Sequence, residues 1–255
     1  MQDGNTIEQT GMLRRLSPAH FRKLVGLCDH LRDIPARVAV STAGEEIGVS
    51  LLLLDGLMGR HISDRDNRRR RLVALEVPGD FVDLHSMPLG RLDHDVTAMS
   101  DVRLAVFKHD VLKDLVRTDP EMAIALWGLT LVDAAIHRHW AYRVSAMRAM
   151  ERLANFICEM EDRLALCGRA DAESYALPLT QADLGDASGM TAVHVNRGLR
   201  DLREAGCCTI SQGRVTIHNR EKLQQIGYYQ PDFLYLHDIP EGEDPAAPGR
   251  AIART

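Results

Sequence analysis

The segment from residue 177 to residue 222 constrains the fold of this 255-residue chain more than any other part of it. Its first half contains two short helix patterns, and Ser188-Gly189-Met190 between them is typical of a tight turn. Two helices joined by a turn of about three or four residues that contains glycine form a helix-turn-helix. Residues 207–217 then predict a strand, a glycine turn and a second strand, which together would form a wing behind the helices.

The residue types in this segment indicate how it would contact DNA. The second helix of such a motif enters the major groove, and the guanidinium fork of Arg197 suits guanine O6 and N7. Thr180 and Thr191 are predicted helix caps, and helix N-termini favour phosphate. Arg200 and Arg214 suit backbone phosphates. The candidate DNA-contacting residues are Thr180, Gln181, Thr191, Ala192, Val193, His194, Asn196, Arg197, Arg200 and Arg214. The alternative is a helical hairpin without a role in DNA binding.

The charge balance excludes a generally basic nucleic-acid coat protein. The formal net charge is −5, but residues 180–222 hold six Arg and Lys residues against five acidic ones. A binding field depends on where the charges lie, so the acidic remainder of the chain does not exclude DNA binding by one local patch. We expect low nonspecific affinity and a shallow dependence on salt.

The N-terminal half predicts a β-rich domain. Short apolar runs separated by Gly and Pro are typical of a sandwich or a barrel. The predicted strands include Ser50–Leu54, Leu72–Val77 and Val102–Phe107, and residues 12–35 have the spacing of a helical lead-in. The run Arg68–Arg71 is interpreted as the charged tip of a hairpin, with an anion-binding patch as the alternative.

A long helix is predicted next, beginning at Asp119-Pro120-Glu121, because a capping residue, proline and an acid favour a helix start. Steps of three and four residues along it define a seam of Leu126, Leu129, Asp133, Ile136, Trp140 and Arg143. The seam favours either pairing of two chains or packing on the helix's own domain, and the pattern leaves both open. A second amphipathic helix is predicted over residues 148–167.

These predictions divide the chain into four parts and give an α+β fold. Residues 1–118 form a lead-in and a β-rich domain, residues 119–147 the central helix, and residues 148–236 the winged helix-turn-helix. Residues 237–255, rich in Pro, Gly and acid, are expected to be a disordered tail.

Residues 179–206 closely resemble the DNA-binding motif of the Crp/Fnr family of bacterial transcription regulators. Leu51–Asp55, Pro78-Gly79-Asp80-Phe81 and Asp101–Phe107 resemble that family's β-roll, a jelly-roll-like barrel of the cyclic-nucleotide-binding type. The resemblance implies a homodimer formed along the central helix, binding to a palindromic promoter site, and RNA polymerase as a candidate partner.

The sequence departs from the family pattern at positions that decide specificity. Val193 stands where the family usually carries a Glu that reads cytosine, and a valine can instead touch a thymine methyl group. Cyclic AMP binders of the family hold the phosphate with an Arg-Ser pair and the ribose with a Gly-Glu pair. The positions of the Arg-Ser pair correspond here to Leu92-Asp93, and those of the Gly-Glu pair correspond to Asp83-Leu84. We therefore expect that cyclic AMP is not the ligand. The candidate effector pocket is Asp83, Leu84, His85, Leu92 and Asp93.

The cysteines and histidines bear on cofactors. The five cysteines include no CxxC pair, which favours a reducing cytoplasm and predicts no metal site and no iron–sulfur cluster. Cys207-Cys208 is expected to be buried, with a redox-sensitive wing as the alternative. Haem stays open because His85, His94, His109, His137 and His139 are available.

The remaining predictions concern compartment and class. Residues 1–17 lack the apolar core of a signal peptide, and the longest uncharged run, Met122 to Val132, is too short to span a membrane. No nucleotide-binding loop, HExxH or GxSxG occurs, so we expect no enzyme. The alternative function is a ligand, redox or haem sensor that acts through protein contacts with a weakened DNA module.

Overall fold

The computed structural model describes residues 7–64 and 70–239. Within these ranges the chain forms an N-terminal β-roll, two consecutive long helices and a C-terminal helix-turn-helix with a wing, as the sequence predicts. The helices are α1 Pro18–Val25, α2 Ser86–Leu89, α3 His109–Thr118, α4 Pro120–Ala146, α5 Ala149–Leu166, α6 Gln181–Ala187, α7 Ala192–Glu204 and α8 Arg220–Ile226. The strands are β1 His30–Ile34, β2 Ala39–Ser41, β3 Val49–Asp55, β4 Met58–Ser63, β5 Arg70–Glu76, β6 Asp95–Ala98, β7 Val102–Lys108, β8 Ser174–Ala176, β9 Cys208–Ser211 and β10 Arg214–Ile217.

Two antiparallel sheets build the β-roll, in the strand orders β1-β7-β3 and β2-β6-β4-β5. A tight turn joins β3 to β4 at Gly56, whose φ is +84° and whose added Cβ would lie 2.1 Å from the Asp101 carbonyl oxygen. Only glycine fits there, because both the backbone conformation and the close approach exclude a side chain. The predicted strands over 50–54, 72–77 and 102–107 are thus confirmed, within two residues at each end.

The predicted helical lead-in over residues 12–35 is wrong in its last part. A 3₁₀ helix covers Gly11–Arg15 and α1 covers Pro18–Val25, but residues 30–34 form β1, which pairs with β7. The leucine spacing that suggests a helix is overridden by pairing at the edge of the sheet. Of the run Arg68–Arg71, Arg68 and Arg69 lie outside the described residues.

Helix α4 begins where the sequence predicts, because the Asp119 side chain accepts a hydrogen bond from the Met122 backbone N–H and Pro120 occupies the first turn. It ends at Ala146, and α5 starts at Ala149 after a two-residue break. Helix α5 packs against both α7 and α8, so it is the support on which the C-terminal module is built. The helices predicted over 119–147 and 148–167 are therefore confirmed.

The predicted seam of α4 faces its own chain. Leu126, Leu129, Ile136, Trp140 and Arg143 are buried, and Asp133 is largely covered. The seam packs on its own domain, which is the second of the two predicted alternatives, and pairing of two chains along α4 stays a prediction. Large apolar side chains are exposed on the rest of the helix instead: Ile124, Trp127, Leu131, Tyr142 and Val144.

The C-terminal module contains the predicted motif and one strand more. The turn between α6 and α7 has φ of +62° at Gly189, and β9 and β10 form the wing hairpin. Strand β8, for which the sequence analysis makes no prediction, pairs with β10 and makes the wing three-stranded. Of the predicted tail over 237–255, residues 240–255 lie outside the described residues, and a short 3₁₀ turn covers Leu236–Asp238.

Candidate nucleic-acid interface and effector pocket

Helix α7 presents its candidate contact residues on one accessible face. Val195 and Leu202 are fully buried, and Leu199 is packed against the same core. Gly198 is buried against α5, where an added Cβ would lie 2.6 Å from Leu153 Cδ1. The opposite side leaves exposed Thr191, Ala192, Val193, His194, Asn196, Arg197 and Arg200. The periodicity therefore separates the packed face of α7 from a face that is free to contact DNA.

Three exposed side chains determine the polarity and charge of this face, namely the apolar Val193 and the basic Arg197 and Arg200. Val193 is 69% exposed, so its side chain is accessible on this face. Within residues 7–64 and 70–239, Arg197 forms no ion pair, whereas Arg200 lies 3.9 Å from both Asp201 and Glu204. Arg197 is thus available to a ligand, and Val193 offers a small apolar contact beside it.

The two predicted caps behave differently. Thr180 accepts a hydrogen bond from the Asp183 N–H at 3.1 Å, and the Asp183 carboxylate accepts one from the Thr180 N–H at 2.8 Å, which forms a capping box. Thr191 occupies the position before α7, but its hydroxyl makes no capping bond and lies 2.9 Å from His194 Nδ1 instead. The predicted cap is therefore correct at Thr180 and wrong at Thr191. Gln181 is exposed in the first turn of α6.

The wing places one basic side chain beside this face and buries its two cysteines. Arg214, exposed on β10, donates a hydrogen bond to Ser174 Oγ at 2.7 Å. Cys207 and Cys208 are buried, and burial raises the pKa of both thiols, that of Cys208 to about 12. Because a thiolate is needed for rapid oxidation, the buried position favours a packing role over a redox-sensitive wing.

The helix-turn-helix is docked onto the β-roll. Arg71 Nη1 on β5 lies 2.7 Å from Asp186 Oδ1 on α6, and Asp186 Oδ2 accepts a weaker bond from the Leu72 N–H at 3.3 Å. Arg37 Nη1 lies 3.0 Å from Asp183 Oδ2 at the start of the same helix. Two acids of the DNA-binding module are thus paired with arginines of the β-roll.

The five residues of the predicted effector pocket are only partly brought together. Leu84 and His85 line a cavity of about 30 Å³ that α4 closes with Leu129, Asp133 and Ile136. Asp83 lies behind them, fully buried, with Oδ1 accepting from the Leu51 N–H at 2.7 Å. Leu92 is buried in a separate core cluster, and Asp93 is exposed. Burial raises the pKa of Asp83 to about 7.

The size of this cavity limits what it holds in the present arrangement. About 30 Å³ is room for roughly one water molecule, so a nucleotide or a haem would require the β-roll and α4 to separate. A larger open groove of about 790 Å³ lies elsewhere, lined by polar residues that include Asp33, Asp55 and Arg169, and none of the five predicted pocket residues borders it.

The histidines considered for haem have partners of their own. His109 Nε2 lies 3.1 Å from Ser50 Oγ, and His139 stacks on Phe233 with ring centroids 3.7 Å apart. His137 Nδ1 lies 2.9 Å from the Asp133 carbonyl oxygen. The remaining two, His85 and His94, lie together, with ring centroids 5.4 Å apart.

A buried network of charges joins the β-roll to α4 and α5, and sequence analysis missed it. Its basic members are Arg60, Arg143 and Arg163, and its acidic members are Glu76, Asp80, Asp133 and Glu159. Arg60 Nη1 lies 2.8 Å from Asp133 Oδ2, Arg163 Nη2 lies 2.8 Å from Asp80 Oδ2, and Arg143 is ion-paired with Glu159. The charged positions Asp133 and Arg143 in the α4 seam, the one available signal, are explained by these pairs.

Burial and pairing shift the acids of this network in opposite directions. Burial raises the pKa of Glu76 to about 8, more than the nearby Arg60 lowers it. The pKa of Glu159 is lowered despite complete burial, because Arg143 and Arg163 both stabilise the carboxylate. A buried pair is costly to break from one side, so the network fixes how α4 and α5 lie against the β-roll.

Comparisons with known proteins place these features in a family. The sequence model of the Crp-like helix-turn-helix domain matches residues 151–226. The nitrogen fixation regulation protein FixK of Azorhizobium caulinodans is 27% identical over 159 residues, which cover 62% of this chain and 63% of FixK. The transcriptional activator protein FnrL of Cereibacter sphaeroides is 24% identical over 214 residues, which cover 78% of this chain and 85% of FnrL.

The fold is also similar to a solved structure of a related regulator. FixK2 of Bradyrhizobium japonicum has a TM-score of 0.71 and 24% identity, covering 77% of this chain and 96% of FixK2. For this chain the matched domain, the relatives and the fold all indicate a regulator of the Crp/Fnr type. It is a transcription regulator of that type with a helix-turn-helix DNA-binding domain, a class that consists of regulators rather than enzymes. None of the helices within the described ranges is long and apolar enough to cross a membrane.

Proposed function

We propose that this chain acts in the cytoplasm as a homodimer that binds a palindromic promoter site through α7, without control by cyclic AMP. The observation that carries the proposal is the outer face of α7, where Val193 is exposed and Arg197 is exposed and forms no ion pair with any residue that the structure describes. A guanidinium fork that is free of carboxylates can bind guanine O6 and N7 at full strength.

Helix α4 supports the dimer. It runs for 27 residues and is apolar on nearly all sides, yet its own chain covers only one face. A helix that is apolar all round belongs in a buried environment, and a second copy of the helix would cover Ile124, Trp127 and Leu131. Two chains paired in this way carry two copies of α7, which is the symmetry that a palindromic site requires.

The absence of cyclic AMP control is supported by the pocket residues. Leu92 is buried in the core, so it offers nothing to a phosphate, and the carboxylate of Asp93 would repel one. The nearby cation, Arg60, is already bound to Asp133 and to the Val82 carbonyl oxygen. We therefore expect that cyclic AMP does not change the affinity of the purified chain for DNA.

Selection of binding sites from random DNA by the full-length chain tests the proposal. We expect a two-fold symmetric site with half-sites about 10 base pairs apart. Arg197→Ala should weaken binding to that site by roughly 5- to 150-fold, an amount equivalent to about 1–3 kcal/mol, and relax one base preference in each half-site. Arg22→Ala, which removes an equal charge from exposed α1, is the matched control and should leave binding unchanged.

Recovery of no preferred sequence would contradict the proposal. It would favour the alternative, a sensor that acts through protein contacts with a weakened DNA module. Equal losses in the Arg197 and Arg22 variants would show that binding depends only on net charge.

A further inference from the structure

Three donor side chains converge at the edge of the β-roll next to α4. His85 immediately precedes α2, and Asp93 and His94 immediately precede β6. One ligand atom from each of the three lies within 4.8 Å of the other two. The two loops that carry them are separated in sequence by α2, so the fold rather than local spacing brings them together.

The hydrogen bonding of His94 leaves a ring nitrogen available. Its Nδ1 lies 2.8 Å from Asp93 Oδ1. The residue is only 6% exposed, and its Nε2 is a buried polar atom without a hydrogen-bond partner among the described residues. Burying an imidazole nitrogen without a partner is costly, and such an atom requires an explanation.

The nearby cation does not oppose a bound metal ion. Arg60 Nη1 lies 2.8 Å from Asp133 Oδ2, so an ion held by the two histidines would not face an unpaired guanidinium.

From this convergence we propose that His85, Asp93 and His94 form a binding site for one divalent transition-metal ion. Two imidazoles and one carboxylate suit ions such as Zn²⁺, Co²⁺ or Fe²⁺ and disfavour Mg²⁺ and Ca²⁺, which prefer oxygen ligands. Metal–ligand bonds of about 2.0–2.2 Å require the donors to approach more closely than 4.8 Å, so binding draws the two loops together across α2.

The site lies beside the helix that we propose to pair two chains. His85 also borders the small cavity that Leu129, Asp133 and Ile136 of α4 close. An ion that joins the loops on both sides of α2 would therefore fix the surface on which α4 rests. The binding site itself does not depend on the proposed DNA-binding function, and either can fail without the other.

Titration of the full-length, chelator-treated protein with Co²⁺ in the absence of DNA tests the site. We expect one Co²⁺ per chain with visible absorption bands, displacement by Zn²⁺ and none by excess Mg²⁺, and a higher melting temperature with the ion bound. His85→Gln and His94→Gln should each weaken Co²⁺ binding at least tenfold. His85 is only half-buried, so its variant tests the site without disturbing the core.

His30→Ala is the matched control, because His30 Nδ1 forms a similar bond of 2.9 Å with the neighbouring Asp29 but belongs to no cluster of three potential metal ligands within the described residues. This variant should bind Co²⁺ as the wild type does. Failure of the wild type to bind one equivalent, or equal affinities in the His85, His94 and His30 variants, would overturn the proposal. Site selection with the same preparation reports separately on DNA binding.

Discussion

Arg71 Nη1 on strand β5 and Asp186 Oδ1 on helix α6 lie 2.7 Å apart, so an ion pair joins the β-roll directly to the DNA-binding motif. Asp186 is largely covered while Arg71 is 58% exposed at its side chain. An isolated pair of this kind contributes little to global stability, about 0–1 kcal/mol. Its importance is local, because it restrains the helix that precedes α7.

The first prediction concerns this pair. Arg71→Ala should leave the free energy of unfolding within about 1 kcal/mol of the wild type and raise amide hydrogen exchange in α6 several-fold. Asp186→Asn should raise the hydrogen exchange of the Leu72 amide more than Arg71→Ala does, because it also weakens the hydrogen bond from the Leu72 N–H. Arg117→Ala removes a more exposed pair, with Asp114 on the same helix α3, and serves as the control. Unchanged exchange in α6 with Arg71→Ala would show that the pair does not restrain the motif.

The second prediction separates the two faces of α4. Leu131 is 50% exposed and Leu126 is 3% exposed, although both lie on one helix. Leu131→Asp should convert a dimer to a monomer in sedimentation experiments while the helical content is retained. Leu126→Asp should unfold the chain or lower its melting temperature sharply, since a carboxylate would enter the core without a partner. A Leu131→Asp chain that stays dimeric would place the interface elsewhere.

The third prediction concerns the contact between α7 and α5. In Gly198→Ala the new methyl group would meet Leu153 Cδ1 at 2.6 Å, so the buried Leu153 side chain or one of the helices must shift, at a cost of about 1–3 kcal/mol in the free energy of unfolding. Gly26→Ala, whose methyl group would meet only two carbonyl oxygens at 3.5 Å, is the control and should change stability by less than about 1 kcal/mol. Of these two variants, only Gly198→Ala should also weaken DNA binding, because α7 carries the residues that are proposed to contact DNA. Equal stability of the two variants would refute this packing.

The fourth prediction follows from the raised pKa of Asp83. Burial raises this pKa from 3.8 to about 7, so between those values the folded state holds a proton that the unfolded state has lost. Stability therefore falls as the pH rises from about 4 to 7, by on the order of 4 kcal/mol for this group. Asp83→Asn should match the wild type near pH 4 and exceed its free energy of unfolding at pH 8.

A carboxylate whose pKa is lowered in the folded state serves as the control for that experiment, because its contribution to stability has the opposite dependence on pH. The hydrogen bond from Arg103 lowers the pKa of the exposed Asp33, so Asp33→Asn should lose a little stability near neutral pH and none at low pH. Denaturant unfolding at pH 4 and pH 8 measures both variants. A pH dependence that Asp83→Asn leaves unchanged would contradict the assignment.

The C-terminal module was predictable because its signals are local. Gly189 takes the left-handed conformation that the turn requires, Thr180 caps α6, and Val195 and Leu202 are buried at helical spacing. Each of these features depends on a few neighbouring residues, and none requires knowledge of distant parts of the chain.

The predictions from sequence fall short at elements whose structure depends on contacts with distant parts of the chain. Helix α4 is apolar on several sides, so its periodicity could not tell the face that meets the β-roll from the exposed face with Trp127. Strand β1 has helical leucine spacing and is fixed only by pairing with β7. The His85–His94 pair and the buried charges of Arg60 and Glu159 were likewise invisible, because sequence alone does not distinguish a buried charge from a solvated one.

The charge network has a consequence for cutting the chain into parts. Helix α5 belongs to the predicted DNA-binding segment over 148–236, yet Arg163 takes Asp80 from the β-roll as its partner and Glu159 takes Arg143 from α4. A fragment that starts at residue 148 would keep the Arg163–Glu159 pair but lose Asp80 and Arg143, the partners that lie outside it. We therefore expect these residues to be less stable as an isolated fragment than they are in the full chain.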